Sequence, residues 1–180
     1  MNKILALVGM PGAGKTTAAM MLEKSGFKKI RFGDVTMDQM QMRGMDVNEE
    51  NESVIRETLR LELGMDAYAK LNESRILELS KKGRIVVDGL YSWEEYIYLK
   101  PKFPQLLLVA IYASPKTRHK RLAERKERPL NAEESLRRDY AELENLNKAE
   151  PIAMADFLVL NEGRMVELEI EMKKLEMMIG

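Results

Sequence analysis

Apolar positions along the chain fall into two alternating kinds of block. Ile4-Leu5-Ala6-Leu7-Val8, Ile85-Val86-Val87 and Leu106–Tyr112 are continuous apolar runs, the pattern of parallel strands buried on both faces. They predict strands over Lys3–Val8, Arg84–Asp88 and Leu106–Tyr112, with shorter ones over Lys28–Phe32 and Asp156–Leu160. Between them apolar residues recur at helical spacing. Thr16–Lys24 is a helix closed by Gly26, and Ser53–Leu63 one capped by Ser53, with Val54, Ile55, Leu59 and Leu63 near one face. Asp66–Lys82 is a longer helix stopped by Gly83, and Trp93–Lys100 a short one before the Pro101/Pro104 break. Ser114-Pro115 reads as N-cap and first residue of a helix to about Lys126, broken by Pro129. Asn131 with Glu134 resembles a capping box for a helix to about Lys148, and Met165, Leu168, Met172 and Leu175 space out the last helix. Over 36–52 the pattern predicts a short helix around Met37–Gly44 and an exposed acidic loop, Asp46–Glu52.

Strands alternating with helices imply an α/β fold, a doubly wound five-stranded parallel sheet. Ligands in such sheets sit beyond the carboxyl ends of the strands. That edge holds residues 9–16, Asp34, Asp88, Ser114 and Asn161.

The loop after the first strand carries the strongest chemical signal. Gly9-Met10-Pro11-Gly12-Ala13-Gly14-Lys15-Thr16 is the G-x-x-x-x-G-K-[ST] phosphate-binding loop in its strand–loop–helix context. Gly9, Gly12 and Gly14 let successive N–H groups converge on one anion, and the following helix adds its positive end. Lys15 can reach the β- and γ-phosphates, and the Thr16 hydroxyl is placed to ligate Mg²⁺. A plain glycine-rich turn explains the glycines but not the Lys-Thr pair. The chain is therefore expected to bind a nucleoside triphosphate.

Two acids end strands at the same edge. Asp88 is a candidate Mg²⁺ acid, its alternative being a turn-initiating Asp before Gly89. Asp34 can orient an acceptor, contact a Mg²⁺-bound water, or cap the next helix. A cationic segment, Arg118, Lys120, Arg121, Arg125, Lys126 and Arg128, continues beyond Pro129 with Arg137 and Arg138. It reads either as a solvated face paired with Glu124, Glu127, Glu133 and Glu134, or as a helix–break–helix closing over a triphosphate. His119, the single histidine, is expected at the surface; Tyr91, Trp93, Tyr96 and Tyr98 read as core, with Tyr91 or Trp93 alternatively able to stack on an acceptor base, and Met37, Met40, Met42 and Met45 read as packing or as an adaptable acceptor flap.

Composition narrows the classes. A chain of 180 residues is expected to form one domain, and a formal net charge of zero gives no pull toward nucleic acid or anionic membrane. Without cysteine there are no disulfides, thiolate metal sites or thiol catalysis. The opening apolar run is too short for a signal peptide or a membrane span, so a cytoplasmic protein is expected.

In order, Gly9–Thr17, Gly33-Asp34, Val86-Val87-Asp88-Gly89, Arg121-Leu-Ala-Glu-Arg125, Arg137-Arg138 and Ala155-Asp156-Phe157 to Asn161-Glu-Gly163 resemble adenylate-kinase-like proteins. The set looks like a nucleoside monophosphate kinase, its C-terminal third closer to dephospho-CoA kinases. The resemblance implies ATP and Mg²⁺, with Gly9, Pro11, Gly12, Ala13, Gly14, Lys15, Thr16 and Thr17 on the donor phosphates and Thr16 and Asp88 on the metal. It places Arg121 and Arg125 beside donor base and phosphates, Arg137 or Arg138 on the lid's far side, and Asn161 and Gly163 against the adenine. It further implies an acceptor-binding helical insertion over 35–82 and a short lid over 126–132.

The departure is on the acceptor side. Such kinases commonly follow the Asp-Gly with Phe-Pro-Arg, whereas this chain has Leu90-Tyr91-Ser92-Trp93, and no arginine follows closely on Gly33-Asp34. Arg43, or Arg56 and Arg60, are candidate substitutes. The expected activity is transfer of the γ-phosphoryl of ATP to a small nucleotide-type acceptor, such as AMP or dephospho-CoA, with Lys15, Asp34, Asp88, Arg121, Arg125 and Arg138 catalytic. The alternative is an ATPase that switches a protein or RNA partner. A nucleic-acid-binding module is disfavoured by the charge.

Overall fold

The computed structural model describes residues 2–126 and 129–180. Its strands are β1 (Ile4–Val8), β2 (Lys28–Arg31), β3 (Ile85–Asp88), β4 (Leu106–Tyr112) and β5 (Phe157–Leu160). The helices are α1 (Lys15–Lys24), α2 (Asp34–Met42), α3 (Glu49–Leu63), α4 (Ala67–Lys82), α5 (Trp93–Leu99), α6 (Pro115–Ala123), α7 (Ala132–Leu146), α8 (Ala149–Ala153) and α9 (Met165–Ile179). The strands form one parallel sheet in the order β2-β3-β1-β4-β5.

Alternation within β1 shows how the layers form. Ile4, Ala6 and Val8 join a core built with Met40, Ile55, Leu59, Tyr68 and Ile76 from α2, α3 and α4. Leu5 and Leu7 face Ala18, Ala19 and Leu22 of α1 and Leu168, Met172 and Leu175 of α9. Every residue of β1 is fully buried, as a run with no polar face requires.

Register fixes the functional edge. Leu7 is level with Asp88 on one side and Val109 on the other, and Arg31 is level with Asp88 across β2. The loop leaving β1 therefore opens next to Asp88, between the β3 and β4 sides of the sheet.

Three local expectations are corrected. The third helix starts at Glu49 rather than Ser53: Asn48 caps it, its side chain accepting from the Asn51 N–H at 2.8 Å. Asparagine caps as well as serine, and acids suit the first turn, so the stretch expected as an exposed acidic loop runs into helix and Glu52 is buried. Next, α6 stops at Ala123, ahead of the Pro129 break. Finally, α7 ends at Leu146, where Asn147 turns left-handed at φ 45°, and Ala149–Ala153 forms an unanticipated short helix. The Asn131/Glu134 capping box is present, with reciprocal bonds of 2.9 and 2.8 Å. In the expected lid over 126–132, Glu127 and Arg128 lie outside the described residues.

Candidate active site

The phosphate loop is held by its neighbours rather than by its own glycines alone. Gly14 stands at φ 100°, and a Cβ there would lie 2.3 Å from the Asn161 side-chain nitrogen. Gly12, at φ 78°, would place a Cβ 2.7 Å from the Arg118 carbonyl oxygen. Only glycine fits either position. Arg118, buried, donates to the Pro11 carbonyl at 3.0 Å, and Asn161 donates from Nδ2 to the Ala13 carbonyl at 2.8 Å. These bonds occupy the Pro11 and Ala13 carbonyls and tie the loop to α6 and to the turn after β5.

Lys15 Nζ donates to the carbonyls of Gly9 at 2.7 Å and Met10 at 3.2 Å. Burial, and next the charge of Lys148, bring its pKa down to about 7. An ammonium in this state gains from any anion entering the loop.

Thr16 Oγ1 donates to Asp88 Oδ1 at 3.5 Å. Asp88 is buried at the end of β3, and burial raises its pKa against the pull of Thr16 and Lys15. A hydroxyl and a carboxylate alone make a poor cage, and no cluster of three or more His, Cys, Asp or Glu able to hold a metal occurs among the described residues. The pair does suit Mg²⁺, which binds through one or two protein oxygens and completes its shell from phosphate and water.

On the β4–β5 side, Arg121 Nη2 donates to Asn161 Oδ1 at 3.4 Å and the Gly163 carbonyl at 3.2 Å. Its Nη1 is buried without a hydrogen-bond partner among the described residues. Arg121 and Gly163 line one surface depression with Thr117, Lys120 and Glu162, and the buried Asn161 is bonded to Arg121 beside it. Glu162 anchors the turn, accepting from Thr117 Oγ1 at 2.6 Å and from the Ser114 N–H.

The far-side arginines separate. Arg138 donates to Glu142 at 3.4 Å, and its charge acts on Lys15. Arg137 instead joins Leu136, Tyr140 and Glu144 on the outer face of α7. Arg125 is exposed, and its pKa is lowered by partial burial and by Arg138. Arg125 and Arg138 thus stand near one another as like charges, and Thr17 sits half-buried in the first turn of α1.

Asp34 is the first residue of α2, and Gly33 holds the N-cap position. It pairs with Arg75 of α4 at 3.6 Å, a partner absent from the sequence-based candidates. Among those candidates, Arg56 pairs with Glu52 at 3.3 Å, and Arg60 lies over the Tyr68 ring at 5.3 Å with its Nε buried and unpartnered.

Several site residues carried no adequate signal. His119, expected at the surface, is half-buried, its Nε2 2.9 Å from Asp139 Oδ2. Asp139 also takes a two-pronged bond from Arg118. Glu142 accepts from Lys148, which is nearly inaccessible to solvent. None of these pairings has a spacing that announces it. Glu95 is different: Ser92-x-x-Glu95 is a capping-box signature, and both bonds of that box form.

Comparison with known proteins places the whole arrangement. Residues 5–145 match the family described as AAA domain. A UPF0200 protein of Thermococcus kodakarensis is 35% identical over 177 residues, covering 96% of this chain and 95% of the relative. Another from Pyrobaculum aerophilum is 33% identical, covering 97% of each. Among solved structures, a shikimate kinase from Bacteroides thetaiotaomicron superposes with TM-score 0.64 at 15% identity, covering 98% of each chain. A dephospho-CoA kinase from Campylobacter jejuni superposes at 0.58 and 15%, covering 99% of this chain and 98% of its own. The fold is that of P-loop kinases. No helix among the described residues is long and apolar enough to cross a membrane.

Proposed function

The chain belongs to the AAA-domain family over residues 5–145 and to the UPF0200 family, and on that premise we propose that it is an ATP- and Mg²⁺-dependent phosphotransferase acting on a small nucleotide-type acceptor. One observation carries the reading: the Thr16 hydroxyl and the buried Asp88 carboxylate stand 3.5 Å apart beside an ammonium whose partners are the loop's own carbonyls. That is a donor site for a polyphosphate and its counterion rather than an ordinary turn.

In this reading the amides of residues 9–17 and Lys15 hold the donor phosphates. Thr16 and Asp88 would hold Mg²⁺, which when bound neutralises charge on the polyphosphate. Arg121, with its unpartnered Nη1, and the Asn161–Gly163 turn receive the adenine end of the donor. Arg125 and Arg138, two cations facing one another, take negative charge between them and close the site from the α6 and α7 sides. Asp34, held by Arg75, faces the acceptor; for a hydroxyl acceptor it accepts the proton, and for a phosphate acceptor no base is needed.

ADP formation from ATP and Mg²⁺, screened against nucleoside monophosphates and dephospho-CoA, tests the proposal. Acceptor-dependent ADP is expected. Asp34→Asn should abolish transfer to a hydroxyl acceptor and only weaken transfer to AMP. Phosphate release that needs no acceptor and is stimulated by a protein or RNA partner would replace the kinase reading with an ATPase switch.

A further inference from the structure

Lys148 has entered so far only as a charge beside Lys15 and a donor to Glu142, yet it is among the most completely buried side chains of the described protein, with 1% of its surface exposed. It follows the left-handed Asn147 and opens α8. A lysine ammonium carries three donors and is strongly hydrated in water, so burial is costly unless something offsets it. Among the described residues its one hydrogen-bond acceptor is Glu142, which also takes a bond from Arg138. The ring of Tyr91 lies 5.6 Å from its Nζ.

Tyr91 locates this ammonium. It belongs to Leu90-Tyr91-Ser92-Trp93, the turn that leaves Asp88 and contains no arginine. Lys148 therefore reaches the turn after Asp88 from the end of α7, near enough to Lys15 for its charge to act there. The charges of Lys148, Glu142 and Arg138 act on Lys15, and Glu142 in turn feels both ammoniums. Beside the ammoniums of Lys15 and Lys148 stand the carboxyls of Asp88, Glu142 and Glu95, while Arg125 and Arg138 reach in from the exposed side. Two ammoniums this close in a poorly hydrated place need anions beside them, and the one bonded to Lys148 is Glu142.

We propose that Lys148 is a further catalytic residue, an ammonium that contacts the phosphoryl group in transfer from the acceptor side while Lys15 holds it from the donor side. The inference rests on the phosphotransferase reading. As the acceptor oxygen bonds to the γ-phosphorus, the bond to the ADP oxygen breaks and ADP leaves with the electron pair. Any acceptor hydroxyl proton goes to Asp34. Negative charge spread over the equatorial phosphoryl oxygens then meets two ammoniums. Until that moment Glu142 holds Lys148 in place, a carboxylate that the phosphoryl oxygens displace. No new charge has to be buried, because one anion substitutes for another.

The test uses MgADP with and without aluminium fluoride, a mimic of the phosphoryl group in transit, titrated into the full chain. Wild type is expected to bind the fluoride complex at least about tenfold more tightly than MgADP, as transition-state mimics do. Lys148→Met should lose that advantage while its MgADP affinity stays within about twofold, and Glu142→Gln should keep it. Unchanged advantage in Lys148→Met overturns the assignment. Equal loss in both variants marks a structural ion pair and also overturns it. Should Lys148→Met fail to fold, Lys148→Gln takes its place with the same two outcomes: advantage lost supports the proposal, advantage kept overturns it. Failure of wild type to bind MgADP at all strikes the donor-site reading instead.

Discussion

Arg118 grips Asp139 with both terminal nitrogens, each bond 2.8 Å long, and the same guanidinium reaches the Pro11 carbonyl of the phosphate loop. One buried fork thus joins α6, α7 and the loop. Breaking a buried pair from one side strands the other charge. Arg118→Ala should therefore lose about 3–5 kcal/mol of stability, measured by urea unfolding, and weaken nucleotide binding because Pro11 loses its anchor. A loss below about 1 kcal/mol would show that the fork is replaceable.

Gly14 and Asn161 make a second such test. A methyl group at residue 14 has to share space with the Asn161 amide and adopt φ 100°. Gly14→Ala should cost about 1–3 kcal/mol and lower ATP affinity about tenfold or more. Adding Asn161→Ala removes the clash but not the backbone strain, so the double variant should recover part of the loss. Full affinity in Gly14→Ala would mean that the loop is not constrained from the β5 side.

The fully buried Glu95 sets a pH dependence. Its Oε2 accepts from the N–H groups of Tyr91 at 2.6 Å and Ser92 at 3.4 Å, while Oε1 has no partner. Burial raises its pKa from 4.5 to about 7, against those two bonds and the charges of Arg60 and Lys148. The folded protein then holds this proton more tightly than the unfolded chain, so the contribution is complete below pH 4.5 and is lost as pH rises through about 7. Wild type should lose about 3 kcal/mol relative to Glu95→Gln across that window. Differencing against the variant removes the opposite slopes from Asp139 and Glu142, whose pKa values are lowered. Parallel stability curves for the two proteins would contradict the assignment.

Most of the frame was readable from residue order because its signals are local. Unbroken apolar runs marked β1, β3 and β4, and Gly-Lys-Thr after the first of them marked the phosphate loop. Boundaries failed where two residues could do the same job, as when Asn48 rather than Ser53 capped α3. The end of α7 was hidden because a left-handed asparagine leaves little trace that a helix has stopped. Pairings across the fold were out of reach. Nothing ties Arg118 to Asp139, Asp34 to Arg75 or Glu142 to Lys148 until the chain is folded. Arg137 and Arg138, adjacent in sequence, part company because neighbours on a helix face different ways.

Calorimetric titration with ATP, with and without Mg²⁺, in wild type and Lys15→Ala bears most directly on the claim that residues 9–17 and Asp88 hold a polyphosphate. Wild type should bind one ATP more tightly with Mg²⁺ than without it. Lys15→Ala should stay folded and lose about 10–100-fold in affinity, the worth of one charge-assisted contact. Absence of binding by wild type at millimolar ATP and Mg²⁺, or equal affinity in Lys15→Ala, would contradict it.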